Sequence, residues 1–340
     1  MMKRILIAGT LLLAFTAAAI AAPEAEEKKM SKTATKLMNK ALKAIQEKQP
    51  DQAIDLLLQV TAMEPENAMV RHNLGVLYFD KGMTDEAISN FEAALRLQPD
   101  YRNAQLALRQ ALFESGKAAS SKQEFEKANG YLLKLEGQPR PEGENRGLLD
   151  SANYLLGFNF FSLKQYPRAA EFFTKCQASE GLEKENRDLF ANATYFLGML
   201  GHIQAQYEAS NVNFRKYLEL FAGSETKPEF YVHANFFIGA NLFRLLEARL
   251  AKGEVAGLAE SAAEIMPYLE QGIANKLPSE DAYVMLGNCH VYRKEYDKAI
   301  ETYQRLIETF PQSQQLKSYE IFLGELKKMQ QQAEKAKPKR

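Results

Sequence analysis

The amino-acid sequence predicts an all-α protein in which about seven helical hairpins stack into a solenoid. Two observations predict this fold. Small and aromatic residues recur at helical spacing, and a set of these positions repeats with a period of about 34 residues. A hairpin of two such helices leaves one apolar face bare, and stacking on the next hairpin buries that face. Because 46% of the 340 residues are hydrophobic, a continuous core can form.

The repeat is clearest between residues 37–65 and residues 71–99. Seven positions of the first copy have a counterpart in the second copy, and the separation is the same for every pair. The pairs are Leu37 and Arg71, Ala41 and Gly75, Ala44 and Tyr78, Ala53 and Ala87, Leu57 and Phe91, Val60 and Ala94, and Pro65 and Pro99. A set of paired positions over this length predicts two helices in each copy.

The second copy contains signals for the close packing of its two helices and for the turn and end that follow them. Gly75 is small, so a second helix can approach closely at that point. Gly82 is expected to end the first helix, since glycine readily adopts the left-handed conformation of a helix C-terminus. Thr84 and Asp85 are predicted to cap the second helix, and Pro99 is predicted to stop it.

This pattern resembles the tetratricopeptide repeat (TPR), whose period is also about 34 residues. The resemblance implies a right-handed TPR superhelix of about seven helix-turn-helix repeats with a C-terminal capping helix. One copy, from Tyr296 to Ser313, ends in Phe-Pro-x-Ser and is similar to repeats of bacterial periplasmic TPR proteins that serve outer-membrane assembly and envelope maintenance. That closer resemblance covers one repeat and implies no specific partner.

The remaining copies are less regular. A degenerate third repeat is predicted from Gly116, Phe125 and Ala128, aligned at the same period with Gly82, Phe91 and Ala94, and Ser121 replaces the expected alanine. Later copies carry a small-residue marker at longer spacings, at Gly157, Gly198, Gly239 and Gly287. The sixth copy is atypical, with a loop at 252–257 and a long second helix at 258–275.

These copies divide the chain into two predicted arrays. The N-terminal array spans 34–135, and the C-terminal array of four longer repeats spans 150–313. Between them, residues 136–149 are rich in glycine and proline and are predicted to form a linker. A capping helix from about 314 to 333 should cover the last apolar face, and a basic tail follows to residue 340.

Residues 1–22 have the pattern of a cleaved secretory signal. Lys3 and Arg4 precede an uncharged run that is short for a membrane span, and small residues follow it. Cleavage is predicted after Ala21, and residues 23–33 form a charged leader. An uncleaved N-terminal anchor is the alternative. No cysteine follows the signal, so the sequence predicts an exported, periplasmic or secreted protein that is soluble after cleavage.

Composition and motifs exclude several functional classes. The chain has 43 basic and 43 acidic residues, so no overall positive field would attract nucleic acid. Cys176 and Cys289 lie within helical patterns and are predicted to be buried and free. The four histidines lie in different repeats, and no metal, cofactor or catalytic motif is found. The sequence therefore predicts a binding protein with no cofactor, not an enzyme.

The TPR resemblance also implies where a partner would bind. In TPR proteins the first helix of each repeat lines a concave groove, and its positions 2, 5, 9 and 12 face that groove. The matching residues are His72, Val76, Phe79, Leu106, Phe113, Tyr154, Phe158, Phe161, Tyr195, Met199, His202, His233, Phe236 and Phe243. Clustered aromatic residues in a groove favour a binding surface, and the alternative is that tighter winding buries them as core.

Two functional hypotheses follow. The first is a scaffold or adaptor of the bacterial cell envelope that binds a peptide or a partner protein in the groove. The second is a small-molecule or lipid binding protein that uses the same aromatic surface. The TPR variant that clamps a C-terminal carboxylate is not favoured, because Leu42 and Ala107 occupy positions where it has polar or cationic residues. Membrane contact is expected to be peripheral, through the basic tail, if it occurs.

Overall fold

The computed structural model describes residues 30–141, 146–275 and 279–335, and over these ranges it contains sixteen α-helices and no strand. The helices are α1 Lys32–Gln46, α2 Pro50–Met63, α3 Ala68–Asp80, α4 Thr84–Leu97, α5 Arg102–Ser121, α6 Phe125–Glu136, α7 Gly147–Ser162, α8 Tyr166–Ala178, α9 Leu182–Glu185, α10 Arg187–Ile203, α11 Tyr207–Leu220, α12 Phe230–Ala251, α13 Leu258–Ala274, α14 Glu280–Tyr292, α15 Tyr296–Thr309 and α16 Leu316–Lys335. The predicted signal at 1–22 lies outside the described residues, as do residues 336–340 of the basic tail.

The helices form hairpins that stack in chain order. Packed pairs are α1 with α2, α3 with α4, α5 with α6, α10 with α11, α12 with α13, and α14 with α15, while α7 and α8 form the remaining pair in sequence. The second helix of a pair also packs on the first helix of the next pair, as α2 does on α3 and α11 on α12. The predicted all-α TPR solenoid is confirmed, with seven hairpins over the described ranges, and α16 follows the last pair as the predicted cap.

The described residues divide into two compact units, one ending at Phe172 and the other beginning at Phe173. The division falls within α8, whereas the sequence placed it at the linker 136–149. Within the first unit, α6 packs on α7 across that linker, and Asn159 of α7 donates a hydrogen bond to Asn129 of α6. These contacts keep the hairpins on both sides of the linker in one unit. Residues 142–145 of the linker lie outside the described residues.

In the described part of the chain, all seven turns between paired helices share one backbone motif. In each, one residue adopts a left-handed conformation, with φ between 57° and 78°. Its N–H and the next N–H bond back to carbonyls three and five residues earlier, which is the Schellman motif. The left-handed residues are Lys48, Gly82, Gln123, Lys164, Ala205, Gly253 and Lys294. Gly82 ends the first helix as predicted. The predicted caps Thr84 and Asp85 are instead the first residues of α4, which has no side-chain cap.

At three of the glycine markers, a side chain of the second helix packs directly against the backbone of the first. A Cβ atom at Gly75 would lie 2.5 Å from Cε1 of Phe91, and one at Gly198 would lie 2.8 Å from Cδ1 of Phe214. The same relation holds between Gly287 and Tyr303 at 2.5 Å. At these sites the side chain of the second helix occupies the space where a Cβ would be. The glycines therefore allow the close contact between the paired helices in these three hairpins.

The third repeat begins at Arg102, as its predicted groove positions imply, but the predicted alignment of its second helix is wrong. A Cβ at Gly116 would lie 2.5 Å from Leu132, so Gly116 is the counterpart of Gly75 and not of Gly82. The helix α5 has 20 residues where α3 has 13, and this lengthening carries Ser121 into the end of α5. Phe125 consequently begins α6 rather than lying in its middle. The marker glycines of the second and third repeats are therefore separated by the same longer spacing as those of the later repeats.

Candidate partner-binding surface

The structure places the predicted groove residues at different depths. Eight of the described side chains at these positions are half-buried, and they are Phe79, Phe113, Phe158, Phe161, Met199, His202, His233 and Phe236. Five are buried, and they are His72, Val76, Tyr154, Tyr195 and Phe243. Leu106 is 36% exposed. A partner can reach the half-buried residues, whereas the buried ones are covered by neighbouring helices.

The buried aromatic residues pack within each unit. In the first unit, the ring of His72 lies 5.7 Å from the ring of Phe91 and 5.3 Å from that of Tyr101. In the second unit, Tyr195 stacks on Phe230 with ring centroids 4.5 Å apart. Burial raises the pKa of the Tyr195 phenol, and the nearby Glu229 carboxylate adds to that effect. These rings contribute to the packing between helices.

The first ring cluster consists of Phe125, Phe158, Phe161 and Tyr166, all half-buried in the first unit. The rings of Phe125 and Phe158 meet edge to face at 6.3 Å, and those of Phe161 and Tyr166 lie 5.9 Å apart. Phe125 and Tyr166 are the first residues of α6 and α8, while Phe158 and Phe161 lie near the end of α7. The cluster therefore lies at the turn side of the hairpins.

The second ring cluster consists of Met199, His202, Tyr207, Phe236 and Phe237, all half-buried in the second unit. The ring of His202 lies 6.1 Å from Tyr207 and 4.8 Å from Phe237, and Phe237 lies 5.4 Å from Phe236. The contact of His202 with Tyr207 is the counterpart, one repeat later, of the contact of Phe161 with Tyr166, since both positions shift by the same amount. Each unit thus presents a half-buried aromatic cluster, and Phe158, Phe161 and Tyr166 of the first cluster correspond in repeat position to Met199, His202 and Tyr207 of the second.

The half-buried predicted residues outside these clusters are Phe79, Phe113 and His233. Nδ1 of His233 lies 3.2 Å from the carbonyl oxygen of Glu229, one turn earlier on the chain, and its ring lies 6.2 Å from Phe230. Phe113 lies beneath the ammonium group of Lys117, which is 5.9 Å from the ring centroid. Phe113 and His233 both bind within their own helix or the segment next to it.

Each unit also contains a hydrogen-bond network of largely buried side chains that joins three helices. In the first unit, Ser120 donates to Oδ1 of Asn159 at 2.6 Å, and Nδ2 of Asn159 donates to Asn129 at 3.0 Å. Asn159 is completely buried, and the other two residues are at most 7% exposed. These three residues join α5, α6 and α7. Because a buried amide is costly unless it is paired, the network fixes how the next hairpin stacks.

The second unit contains the counterpart of this network. Oδ1 of Asn241 lies 2.6 Å from Nδ1 of His202, and Nδ2 of Asn241 donates to Asn211 at 2.8 Å. His202, Asn211 and Asn241 occupy, two repeats later, the positions of Ser120, Asn129 and Asn159, and the separation is the same for all three pairs. Histidine therefore occupies the position that serine occupies in the first unit.

Sequence reasoning missed several of these residues. Phe125, Tyr166 and Tyr207 begin three successive second helices and are evenly spaced, so this spacing was the signal that could have found them. The network asparagines carry a similar signal, because both recur two repeats later at one common separation. Their hydrogen-bond partners are 30 to 39 residues apart in sequence and lie on three different helices.

The described residues provide neither a metal-binding group of side chains nor a membrane-spanning helix. Within them, no group of three or more histidine, cysteine, aspartate or glutamate side chains could hold a metal ion. In the same ranges, no helix combines the length and apolarity needed to cross a membrane. Cys176 and Cys289 are buried and free, as predicted, and burial raises the pKa of the Cys289 thiol to about 12.

The geometry defines a class of protein made of repeated α-helical hairpins, and comparison with known families agrees. Two segments match family models described as tetratricopeptide repeat, residues 68–101 and residues 281–313. They correspond to the hairpins α3–α4 and α14–α15. The chain therefore contains tetratricopeptide repeats. No curated protein sequence matches the chain.

Several solved structures are similar to this chain. The Cut9–Hcn1 hetero-tetramer of the APC/C is 13% identical, with 81% of this chain and 45% of that chain covered and a TM-score of 0.40, so this chain spans less than half of that protein. A TPR protein of Parabacteroides merdae is 17% identical, with 88% and 100% covered and a TM-score of 0.34. PilF of Pseudomonas aeruginosa is 14% identical, with 75% and 96% covered and a TM-score of 0.40. Likenesses at this level do not identify a function.

Proposed function

We propose that this protein is an interaction scaffold that binds a peptide or partner protein through the two ring clusters. The observation that supports the proposal most strongly is that half-buried aromatic residues recur at equivalent positions in both units. The TPR class of the chain agrees with a protein partner. A scaffold needs no catalytic group, and the clusters contain only apolar, phenol and imidazole side chains.

The exposed part of each ring is large enough to contribute to binding. A fully buried aromatic side chain covers about 150–250 Å². If about a quarter of that area remains for a partner, covering one ring stabilises a complex by about 1 kcal/mol at roughly 25 cal/mol per Å². Aromatic anchors lose little side-chain entropy on binding, and they commonly dominate interface energies. Four or five such residues per cluster are therefore sufficient for a specific complex.

The setting of this scaffold is a separate proposal. We propose that the chain is exported to the bacterial cell envelope and that residues 1–22 are removed. The support is the basic start, apolar run and small-residue end of that segment. Intact mass measurement of the protein isolated from its source tests this proposal. A mature N-terminus at or near Ala22 is expected, and an intact N-terminus would contradict cleavage.

Affinity capture with the purified protein as bait tests the proposed binding function. The test variant is Phe158→Ala with Phe236→Ala, which removes one ring from each cluster. The control variant is Val212→Ala with Ile321→Ala, which removes two exposed apolar side chains outside the clusters. Far-UV circular dichroism and urea unfolding establish that both variants fold.

The proposal expects one or a few proteins to be captured by the native chain and by the control variant, and to be lost with the test variant. Equal capture by all three proteins would contradict the role of the ring clusters. If the control variant also failed to capture these proteins, the interaction would depend on exposed apolar side chains in general.

A further inference from the structure

The hydrogen bonds around Asn241 determine which nitrogen of His202 carries a proton. Ser210 donates its only hydroxyl proton to the carbonyl oxygen of Gly198, at 2.7 Å. Its Oγ must therefore accept from Nδ2 of Asn241, which lies 2.8 Å away. The same Nδ2 donates to Asn211, so Oδ1 of Asn241 faces His202. An amide oxygen only accepts, so Nδ1 of His202 is the donor in their 2.6 Å contact.

A neutral imidazole that is protonated on Nδ1 has an unshared electron pair on Nε2. No described residue makes a hydrogen bond with this Nε2, and it is not among the enclosed polar atoms that lack a partner. It is therefore accessible from solvent, beside the rings of Tyr207 and Phe237. The second ring cluster thus contains one oriented hydrogen-bond acceptor among apolar surfaces.

The first unit shows that the network itself does not need an imidazole. Ser120 occupies the position that corresponds to His202, and its hydroxyl makes the equivalent bond to Oδ1 of Asn159 at 2.6 Å. Ser120 donates the hydrogen bond that the buried Asn159 needs, but its side chain has no second polar atom beyond the hydroxyl. Histidine satisfies its asparagine with Nδ1 and extends a second nitrogen to the surface. The outer nitrogen is thus the feature that distinguishes the second unit.

We propose that Nε2 of His202 accepts a hydrogen bond from the partner and selects which segment binds the second ring cluster. The partner segment is a polypeptide that places an N–H or O–H donor next to an apolar side chain, with that side chain covering Phe236 and Phe237. This inference rests on the proposed function. The buried network holds the ring in position, so the acceptor loses little orientational entropy when the partner binds.

Three substitutions at His202 separate the role of Nδ1, which donates to Asn241, from the proposed role of Nε2, which accepts from the partner. His202→Asn places an amide N–H where Nδ1 is and removes the outer acceptor. His202→Ser reproduces the residue that the chain itself uses at position 120. His202→Gln can place an amide oxygen near the position of Nε2 but loses the inner donor. Phe236→Ala serves as the test of the ring cluster in the same series.

The binding probe is a synthetic peptide obtained by selecting a phage-displayed random dodecapeptide library on the whole chain. Its dissociation constant is measured by calorimetry with each variant, and urea unfolding reports stability. We expect His202→Asn and His202→Ser to fold with near-native stability but to bind about tenfold more weakly, the usual cost of one lost hydrogen bond in an apolar site. His202→Gln should be less stable and should keep more of the affinity.

A second measurement does not depend on the peptide. The chain has four histidines, so labelling with ¹⁵N-histidine gives four ring systems, and the His202→Asn variant assigns the signals of His202. Proton–nitrogen correlation spectra distinguish the two neutral tautomers. The inference expects the Nδ1–H tautomer at His202 at neutral pH. The Nε2–H tautomer would overturn it.

The outcomes distinguish this inference from the proposed function. If Phe236→Ala weakens peptide binding and His202→Asn does not, the ring cluster binds the peptide. The proposed role of Nε2 of His202 as a hydrogen-bond acceptor is then overturned. If neither substitution changes the affinity, or if no peptide is selected, both the proposed function and this inference fail. If His202→Asn weakens binding only as much as it lowers stability, and His202→Gln does the same, His202 has a structural role alone.

Discussion

Gly75→Ala tests the close helix contact within the α3–α4 hairpin. A Cβ atom at this position would lie 2.5 Å from Cε1, 2.6 Å from Cδ1 and 3.1 Å from Cζ of Phe91, whereas ordinary contacts begin at 3.4 Å. Phe91 is only 1% exposed, and its ring also packs on His72. The ring cannot rotate into solvent, so α3 and α4 must separate or the ring must adopt a poor rotamer.

The magnitude follows from two opposing effects. Alanine is favoured over glycine in a helix by about 1 kcal/mol. Overpacking of a tight core costs about 1–3 kcal/mol, and a contact almost 1 Å too short lies at the upper end. The net expectation is a loss of about 1–2 kcal/mol. Gly130→Ala is the matched control, because a Cβ there meets nothing within 4 Å and α6 should gain up to about 1 kcal/mol.

Urea unfolding followed by far-UV circular dichroism measures both variants. The two substitutions are chemically identical, so the difference between them, about 2–3 kcal/mol, isolates the steric effect. Phe91→Leu introduced together with Gly75→Ala should recover part of the loss by making room for the new methyl group. If Gly75→Ala were as stable as the native chain, or if both alanine variants changed stability equally, the close-contact explanation would be refuted.

Three further predictions concern the turn, the network and acid stability. Ala205→Gly should raise the thermal midpoint, with a gain of up to about 1 kcal/mol, because Ala205 has a φ of 57° that glycine adopts without strain. Asn241→Ala should cost about 2–4 kcal/mol in urea unfolding because it leaves buried donors and acceptors without partners, and a loss below about 1 kcal/mol would contradict the network's role. Hydrogen bonds from His290 and then Arg293 lower the pKa of Glu295 from 4.5 to about 2. This carboxylate therefore stabilises the fold above about pH 4.5 and loses that contribution as the pH falls towards 2. Glu295→Gln should consequently flatten the acid unfolding curve. An unchanged curve would count against the stabilising role of the Glu295 carboxylate.

Much of the fold could be predicted from the sequence because its signals are local. A recurring set of positions and a glycine on one helix face are enough to predict hairpins that stack. Gly82 and Pro99 end α3 and α4 because their backbone preferences act within a few residues. The long sixth repeat was predicted in the same way, and α13 begins at Leu258 as expected.

The alignment of the third repeat failed for a physical reason. The second repeat has small residues at Gly75 and Gly82, which are seven residues apart. Seven residues are close to two helical turns, so a helix shifted by seven presents nearly the same apolar face. Gly116 could match either glycine, and the sequence pattern did not distinguish the period of the first two copies from the longer spacing of the later ones. Because α5 is longer than α3, the longer spacing applies to the third repeat.

The depth of the candidate site residues could not be predicted from their repeat positions. Tyr195 and Met199 both match groove positions, but Phe230 stacks on Tyr195 and covers it while Met199 remains half-buried. Phe230 is the first residue of α12, in the next repeat, and no repeat rule places it there. The hydrogen-bond network of Asn241 likewise depends on three helices meeting. Such features are set by packing between repeats rather than by the pattern within one.

Binding of a partner through the ring clusters is tested most directly by the affinity of the captured partner for the ring-cluster variant. The dissociation constant of Phe158→Ala with Phe236→Ala is compared with that of the control variant Val212→Ala with Ile321→Ala. Aromatic anchors in an interface each contribute about 1–2 kcal/mol, so the account predicts a dissociation constant about a hundredfold higher for the ring-cluster variant. Equal dissociation constants for the two folded variants would contradict binding through the ring clusters.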